Sequence, residues 1–326
     1  MIIIRSPLRI SIGGGGTDLE SYYKHNGGFL ISAAINKYIY VTLTKPFEKG
    51  IYLKYSNIEK TNKIIDVDHG IIREALKIYH KNTPPQIEIT TLADIPAGTG
   101  LGSSSSFTNA LVHGLVSFNK SFIEKKDLAE ASCNIEINKL KEPIGKQDQY
   151  ISAFGGITCF NFNRSGNVDV EKLNISQQTL LDLEENLLLF FTGFTRSAGK
   201  ILKDQKVKSE ASDDDMISNL NSVKKMGLEI KHLLEDGNTH EFGKILDRHW
   251  QNKRKRSKGM SNPEIDEWYN IAMKNGAVGG KLVGAGGGGF LLFYSDDKLR
   301  LRESMKKCGL EEVHFNFDFE GTKRIL

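Results

Sequence analysis

PAGTGLGSSSS at residues 96–106, running into FTNALVHGLVSF at 107–118, joins three alternating glycines to a serine run and a segment of helical length. Glycines at 98, 100 and 102 leave alternate positions without a Cβ, so consecutive backbone N–H groups can turn to one side as an anion nest. The helix that follows brings its free N–H groups and positive dipole end to the same point, and the whole makes a phosphate cradle. Taken alone, the segment also fits an ordinary turn with a serine cap. It is not a P-loop. GxxxxGK[ST] matches nowhere, and the nearest approach, Gly280-Lys281, has Asn275 in place of the first glycine and Leu282 after the lysine.

The cradle stands in a glycine-rich chain, with 32 glycines in 326 residues. Half of them fall in five clusters: Gly13 to Gly16, the cradle, Gly155-Gly156, Gly279-Gly280, and five between Gly284 and Gly289. Each cluster abuts a hydrophobic run, which marks tight turns inside a fold and not a flexible linker. GAGGGG at 284–289 formally matches GxGxxG, but FLLFY follows it as a strand and not as a helix, against a dinucleotide site. GGGGTD at 13–18 opens a loop before a helical stretch from Leu19, where Asp18 either caps the helix or holds a polar ligand.

The bulk quantities exclude other classes. Forty-four Lys and Arg against 40 Asp and Glu give +4, and a mean hydropathy of −0.34 fits a globular protein. Nucleic acid is not expected as a partner, because no aromatic-studded basic face is visible. The one basic run, KRKRSK at 253–258, reads as a solvated helix face. Three cysteines without CxxC spacing argue for a reducing compartment and against a disulfide framework or a structural zinc. With no basic n-region before an apolar stretch, and no run near the ~18 residues of a membrane span, a cytoplasmic protein is expected.

Along the chain, strands are expected at 2–5 and 8–12 around Pro7, at 29–35 and 38–44, at 87–91 and at 157–162, with helices near 107–118, 128–140 and 145–154. A polar stretch at 163–180 sets the domain boundary: an ATP-binding domain over 1–170 and a second domain over 171–326. Helices dominate 213–275, one of them opening at SNPEIDEWY with Ser261 or Asn262 as cap, and strands at 281–283 and 290–294 flank GAGGGG. HExxH and GxSxG are both absent. That leaves carboxylates near the cradle. Glu136 and Asp148, on either side of Pro143, are of the type that phosphate chemistry needs for a magnesium ligand and for handling an attacking hydroxyl, although on composition alone either fits a surface acid.

RSPLRISIGGGGTD, PAGTGLGSSSS and KLVGAGGGGFLLF resemble, in order and spacing, the three signature motifs of the GHMP kinases, over nearly the whole chain. The quadruple glycine, EINKLKEPIGKQDQYISAFGG and SNPEIDEWY resemble most the sugar-1-kinase branch typified by D-glycero-D-manno-heptose 7-phosphate kinase. The resemblance implies an α+β fold of two domains: an N-terminal α/β domain with a left-handed βαβ unit, a ferredoxin-like C-terminal domain, and an active site in the cleft between them. It implies ATP and Mg²⁺, with Gly98, Gly100, Leu101, Gly102, Ser103, Ser104 and Ser105 around the ATP phosphates and Ser104 and Glu136 on the metal. Asp148 matches the catalytic aspartate, one residue further from the proline than in mevalonate kinases, and Arg9 stands where those enzymes carry a lysine. Gly15, Gly16, Thr17 and Asp18 fall where such kinases meet the sugar.

The activity implied is transfer of the γ-phosphate of ATP to the anomeric hydroxyl of the heptose 7-phosphate, giving the 1,7-bisphosphate in nucleotide-activated heptose biosynthesis. Asp148 would take the hydroxyl proton, and Arg9, which keeps its own proton, would stabilise phosphoryl oxygens. A substrate that already carries a phosphate needs a second anion site. Arg196 and Lys200, one helical turn apart, with Lys203, are candidates, and Lys253 and Arg254 can close over from the helical part. A kinase of an unphosphorylated sugar such as fucose or galactose, and a catalytically silent sugar- or nucleotide-binding relative, remain open, as does a homodimer.

Overall fold

The computed structural model describes residues 1–80, 85–194, 199–211, 213–256 and 259–326, with only the backbone described over 199–201. The first half is built on an eight-stranded sheet whose spine is an antiparallel pair, β1 (Ile2–Gly13) and β2 (Gly28–Thr44), with α1 (Glu20–Asn26) between them. Each is one long strand where the sequence suggests two. A bulge opposite Pro7 and Leu8 takes up Asn36 and Lys37, so β2 bends past the proline without ending. Beyond β2 come β3 (Ile51–Lys54), β4 (Ile58–Thr61), α2 (Gly70–His80) and β5 (Ile87–Ala93). β3 pairs with β5 in parallel, with β4 and α2 in the connection between them.

α3 (Ser103–Phe118) follows β5, and α4 (Lys125–Cys133), α5 (Gln147–Phe154), β6 (Ile157–Phe162) and β7 (Val168–Lys172) complete this half. α3 is buried almost all round, as expected of a helix whose apolar residues are not confined to one stripe. It starts at Ser103, earlier than the apolar run alone suggests, so the serines belong to its first turn.

The second half contains α6 (Gln177–Asn186), β8 (Leu187–Phe191), α7 (Gly199–Glu210), α8 (Asp214–Glu235), α9 (Thr239–Arg254), α10 (Pro263–Lys274), β9 (Ala277–Leu282), β10 (Phe290–Ser295), α11 (Lys298–Lys307), β11 (Glu311–Glu312) and β12 (Lys323–Arg324). The antiparallel sheet β11-β8-β10-β9, with helices after β8 and after β10, has the strand order of the ferredoxin-like fold. α10 opens as the sequence suggests, with Asn262 Oδ1 accepting from Ile265 N at 2.8 Å and Pro263 in the first turn.

Two pieces of the second half return to the first. β12 pairs with β1, and α8 lays Val223, Gly227 and Ile230, spaced for one helix face, against β1 and β2. One apolar core therefore runs from the large sheet through α8 to Phe242, Phe290 and Leu292. Among the described residues, no helix is long and apolar enough to cross a membrane.

Candidate active site

A cleft of about 820 Å³ lies between the two halves. One wall is the cradle. Gly98, Gly100 and Gly102 have φ of 80°, 83° and 79°, while neither Thr99 nor Leu101 between them has positive φ. This alternation is what turns successive N–H groups to one side. The glycine connection 284–289 packs directly on it: a Cβ at Gly289 would lie 2.1 Å from the Thr99 carbonyl oxygen, and one at Gly284 2.6 Å from that of Gly100. The last glycine cluster is therefore the backing of the first loop, and Gly284, Gly286 and Gly288 also line the cleft.

At the mouth of α3, the Ser104 hydroxyl donates to Glu136, and Gln149 Nε2 donates to the other Glu136 oxygen at 2.8 Å. Glu136 sits in a π-helical turn at 134–139 that continues α4, an irregularity found mostly at functional positions. The carboxylate is 1% exposed, and burial pushes it up to about 7. The Ser103 hydroxyl is buried without a partner. Across the cleft floor, Arg9 grips Asp148 with two parallel bonds, Nε to Oδ1 and Nη2 to Oδ2, each 2.7 Å. Arg9 Nη1 donates to the Gly100 carbonyl, so the ion pair is tied to the cradle. A Cβ at Gly102 would come within 3.2 Å of Asp148 Oδ2.

The first glycine loop forms the facing rim. Asp18 accepts from Gly16 N and Gln147 N, each at 3.1 Å, and burial, with the nearby charge of Asp148, raises its carboxyl above the usual range. It does not cap α1, whose cap position is Leu19. The second half contributes His249, Lys253, Arg256 and Lys281, all at least nine-tenths buried and all facing the cleft.

Models of the GHMP kinase N-terminal and C-terminal domains match residues 70–156 and 230–309, just over half of the chain. The chain is a GHMP kinase. The kinase is 29% identical, over 98% of its own length and 97% of the other, to the D-glycero-alpha-D-manno-heptose 7-phosphate kinase of Campylobacter jejuni. A crystal structure described as a D-glycero-D-manno-heptose 1-phosphate kinase from Bacteroides thetaiotaomicron shares its fold with a TM-score of 0.80, at 24% identity, covering 100% of this chain and 99% of that one. A sugar kinase structure from Campylobacter jejuni gives a TM-score of 0.77 at 27% identity, covering 99% and 97%.

Within the kinase, the residues expected of the site divide by where they fall. Gly15, Gly16, Asp18, Gly98, Gly100, Gly102, Ser103, Ser104, Ser105, Glu136, Asp148 and Arg9 all line the one cleft. Two others lie behind it. The Thr17 hydroxyl donates to the Gly14 and Phe29 carbonyls at 2.8 Å each and is fully buried, so it shapes the loop and does not reach the cleft. Leu101 is also fully buried, and its carbonyl accepts from Arg9 N at 2.9 Å. Arg196 lies outside the described residues, as does the side chain of Lys200. Lys203 is exposed. The run 253–258 is not a uniformly solvated face: Lys253 and Arg256 turn into the cleft, whereas Arg254 pairs with Asp266 at 2.6 Å. His249, Arg256, Lys281 and Gln147 are cleft residues that the sequence reading passed over. Spacing held the signal for the first, since 249 and 253 continue the apolar face of α9, and Arg256 follows in the turn that ends the helix.

The kinase family generally uses Mg²⁺, and the donors fit it. Ser104 and Glu136 are hard oxygen ligands, and the buried Glu136 carboxylate has no cation partner of its own. Among the described residues no group of three or more His, Cys, Asp or Glu forms a metal cage. A pair of protein oxygens is what Mg²⁺ takes when substrate phosphates and water supply the rest.

Proposed function

We propose that this kinase transfers the γ-phosphate of ATP to the anomeric hydroxyl of D-glycero-D-manno-heptose 7-phosphate. The observation that carries the chemistry is the Arg9–Asp148 pair, tied to the cradle through Gly100 and facing the rim of Gly15, Gly16 and Asp18. The choice of sugar is supported by the likeness to the Campylobacter jejuni enzyme along nearly the whole chain.

The backbone N–H groups of 98–105 hold the ATP phosphates, and the partnerless Ser103 hydroxyl adds a donor at the same helix end. Asp18 and the neighbouring glycine backbone bind sugar hydroxyls. Asp148 accepts the proton of the anomeric hydroxyl, whose oxygen bonds to the γ-phosphorus as the bond to the β-phosphate oxygen breaks and ADP leaves. Arg9 fixes the aspartate in two-point geometry and offers its remaining N–H groups to phosphoryl oxygens. Ser104 and Glu136 would hold Mg²⁺, which when bound neutralises phosphate charge.

A coupled ADP-release assay with the heptose 7-phosphate, the unphosphorylated heptose, fucose and galactose tests the proposal. Turnover should be fastest with the 7-phosphate. A clear preference for fucose or galactose would overturn the choice of sugar, and ATP hydrolysis independent of any sugar would overturn the kinase reaction.

A further inference from the structure

The cleft carries more positive charge than phosphate transfer to a neutral sugar requires. His249, Lys253, Arg256 and Lys281 line it from the second half, at 2%, 8%, 6% and 2% exposure. Among the described residues, none of the three cations has a carboxylate within ion-pair distance. Lys281 Nζ donates to Ile12 O at 2.7 Å. Lys253 Nζ donates to Leu282 O at 3.1 Å and to Gly284 O. Among the described residues Arg256 hydrogen-bonds to neutral groups, Asn219 Oδ1 at 3.0 Å, Gly15 O at 3.3 Å and Gln205 Oε1 at 3.4 Å, with the Asp18 charge nearby but outside ion-pair distance. Its Nη2 has no partner, and neither ring nitrogen of His249 has one.

Buried cations stay out of water at a cost unless something anionic meets them. Of the four carboxylates that line the cleft, Glu142 makes no ion pair with the cluster among the described residues, and the other three are already engaged. Asp148 is held by Arg9, Glu136 by Ser104 and Gln149, and Asp18 by the backbone of Gly16 and Gln147. Burial, with repulsion from the neighbouring cations, pulls the Lys253 ammonium and the His249 imidazolium well below their ordinary values; burial and the charge of Arg9 take Lys281 to about 7, and burial, partly offset by the negative charge of Asp18, takes Arg256 to about 10. The cluster is therefore poised for an anion that the protein does not supply.

Lys281 and Arg256 place the cluster beside the first glycine loop, while Lys253, held on the carbonyls of Leu282 and Gly284, stands between that loop and the backing of the ATP cradle. Lys281 is anchored on Ile12, just before the first glycine loop, and Arg256 on Gly15 within it, and Gln205 Nε2 reaches Gly16 O at 3.3 Å beside them. The cradle lies across the Arg9–Asp148 pair, against Gly102. We infer that His249, Lys253, Arg256 and Lys281 form a second anion site that binds the phosphomonoester already present on the acceptor sugar. Lys253 and Lys281 supply charge, Arg256 its free Nη2, and neutral His249 one hydrogen-bond donor. The inference rests on the acceptor being a sugar phosphate, as proposed above, and the site rejects uncharged sugars because they would leave its cations without partners.

Two measurements test it. In kinetics, Arg256→Gln and, separately, Lys281→Met should lower the ratio of kcat/KM for the heptose 7-phosphate over that for the unphosphorylated heptose by about 10- to 100-fold, the loss of one charge-assisted contact. The KM for ATP should change by less than about twofold. Equal losses on both sugars, or a loss expressed in the KM for ATP, would overturn the inference. In thermal unfolding with a saturating non-hydrolysable ATP analogue filling the cradle, inorganic phosphate should raise the Tm of the unsubstituted protein and raise that of Arg256→Gln much less. Failure of phosphate to stabilise the analogue-bound protein overturns the second site. Phosphate stabilisation lost in Arg256→Gln, in a protein that phosphorylates no sugar, keeps the anion site and overturns the kinase reaction instead.

Discussion

Replacing Asp148 with asparagine separates the chemistry from the architecture of the site, because the two effects differ in size. In the structure both carboxylate oxygens accept from Arg9 at 2.7 Å. In Asp148→Asn one of those oxygens becomes an NH₂ group, and whichever way the amide is turned, a donor faces a guanidinium donor. An unmet buried donor costs ~1–3 kcal/mol. Since the Asp148 side chain is 27% exposed and water can reach it, the low end applies. About 1 kcal/mol lowers the Tm of a chain this large by only ~2 °C, so the variant is folded at assay temperature. Loss of the proton acceptor should lower kcat by ~10²–10⁴, or ~3–5 kcal/mol in the barrier, which exceeds the stability term severalfold. The KM for ATP should stay within about twofold, since on the proposed reading the cradle would contact phosphate through backbone N–H groups, which this substitution leaves in place. The assay is coupled ADP release at saturating heptose 7-phosphate with ATP varied, alongside a thermal melt. Asp148→Ala, which introduces no opposing donor, should lose as much kcat. A kcat within tenfold of the unsubstituted enzyme, or a defect confined to the KM for ATP, would refute the role of Asp148.

Other consequences follow from the same geometry. Gly289→Ala would place a methyl 2.1 Å from the Thr99 carbonyl at a φ of +102°, and should destabilise the protein by about 2–4 kcal/mol in urea unfolding; a loss under about 1 kcal/mol would mean that the two glycine loops are not in contact. Chelating Mg²⁺ should abolish turnover, and Glu136→Gln should raise the Mg²⁺ concentration for half-maximal rate at least ~10-fold; an unchanged requirement would remove Glu136 from the metal. Lys281 has its folded value lowered from 10.5 to about 7, so between these limits the unfolded chain binds the extra proton and stability rises with pH. Without ligand, Tm should climb as pH goes from about 7 to about 9. Lys281→Met should flatten that climb in part, leaving the contribution of Lys253, which is shifted in the same direction. An identical slope in the variant would mean that Lys281 is not the buried cation responsible.

What the sequence revealed of this site depended on whether its logic was local. The cradle could be read directly because alternating glycines, a serine run and a helix start act within a dozen residues. The bond from Arg9 to Asp148 spans 139 positions, and no spacing rule links them; only the ordered motifs of the family did. Thr17 shows the reverse, since a loop hydroxyl suggests exposure, yet the carbonyls of Gly14 in the turn and Phe29 in β2 claim it. The basic run 253–258 is the most instructive case. Charge density alone suggested a solvated face, but α9 buries Phe242, Leu246, His249, Trp250 and Lys253 along a single side. An apolar stripe that turns basic at 249 and 253 either leaves the core for water or enters a cavity that wants an anion. Composition cannot separate the two outcomes, because they differ only in what packs opposite the stripe. Here that is the first glycine loop, where the carbonyls of Ile12 and Gly15 receive Lys281 and Arg256 directly. The glycines at 13–16 and the cations at the end of α9, just past it and on β9 therefore belong together: a loop without side chains lets the cations close on its backbone, and a Cβ at Gly16 would lie 2.6 Å from Arg256 Nη1.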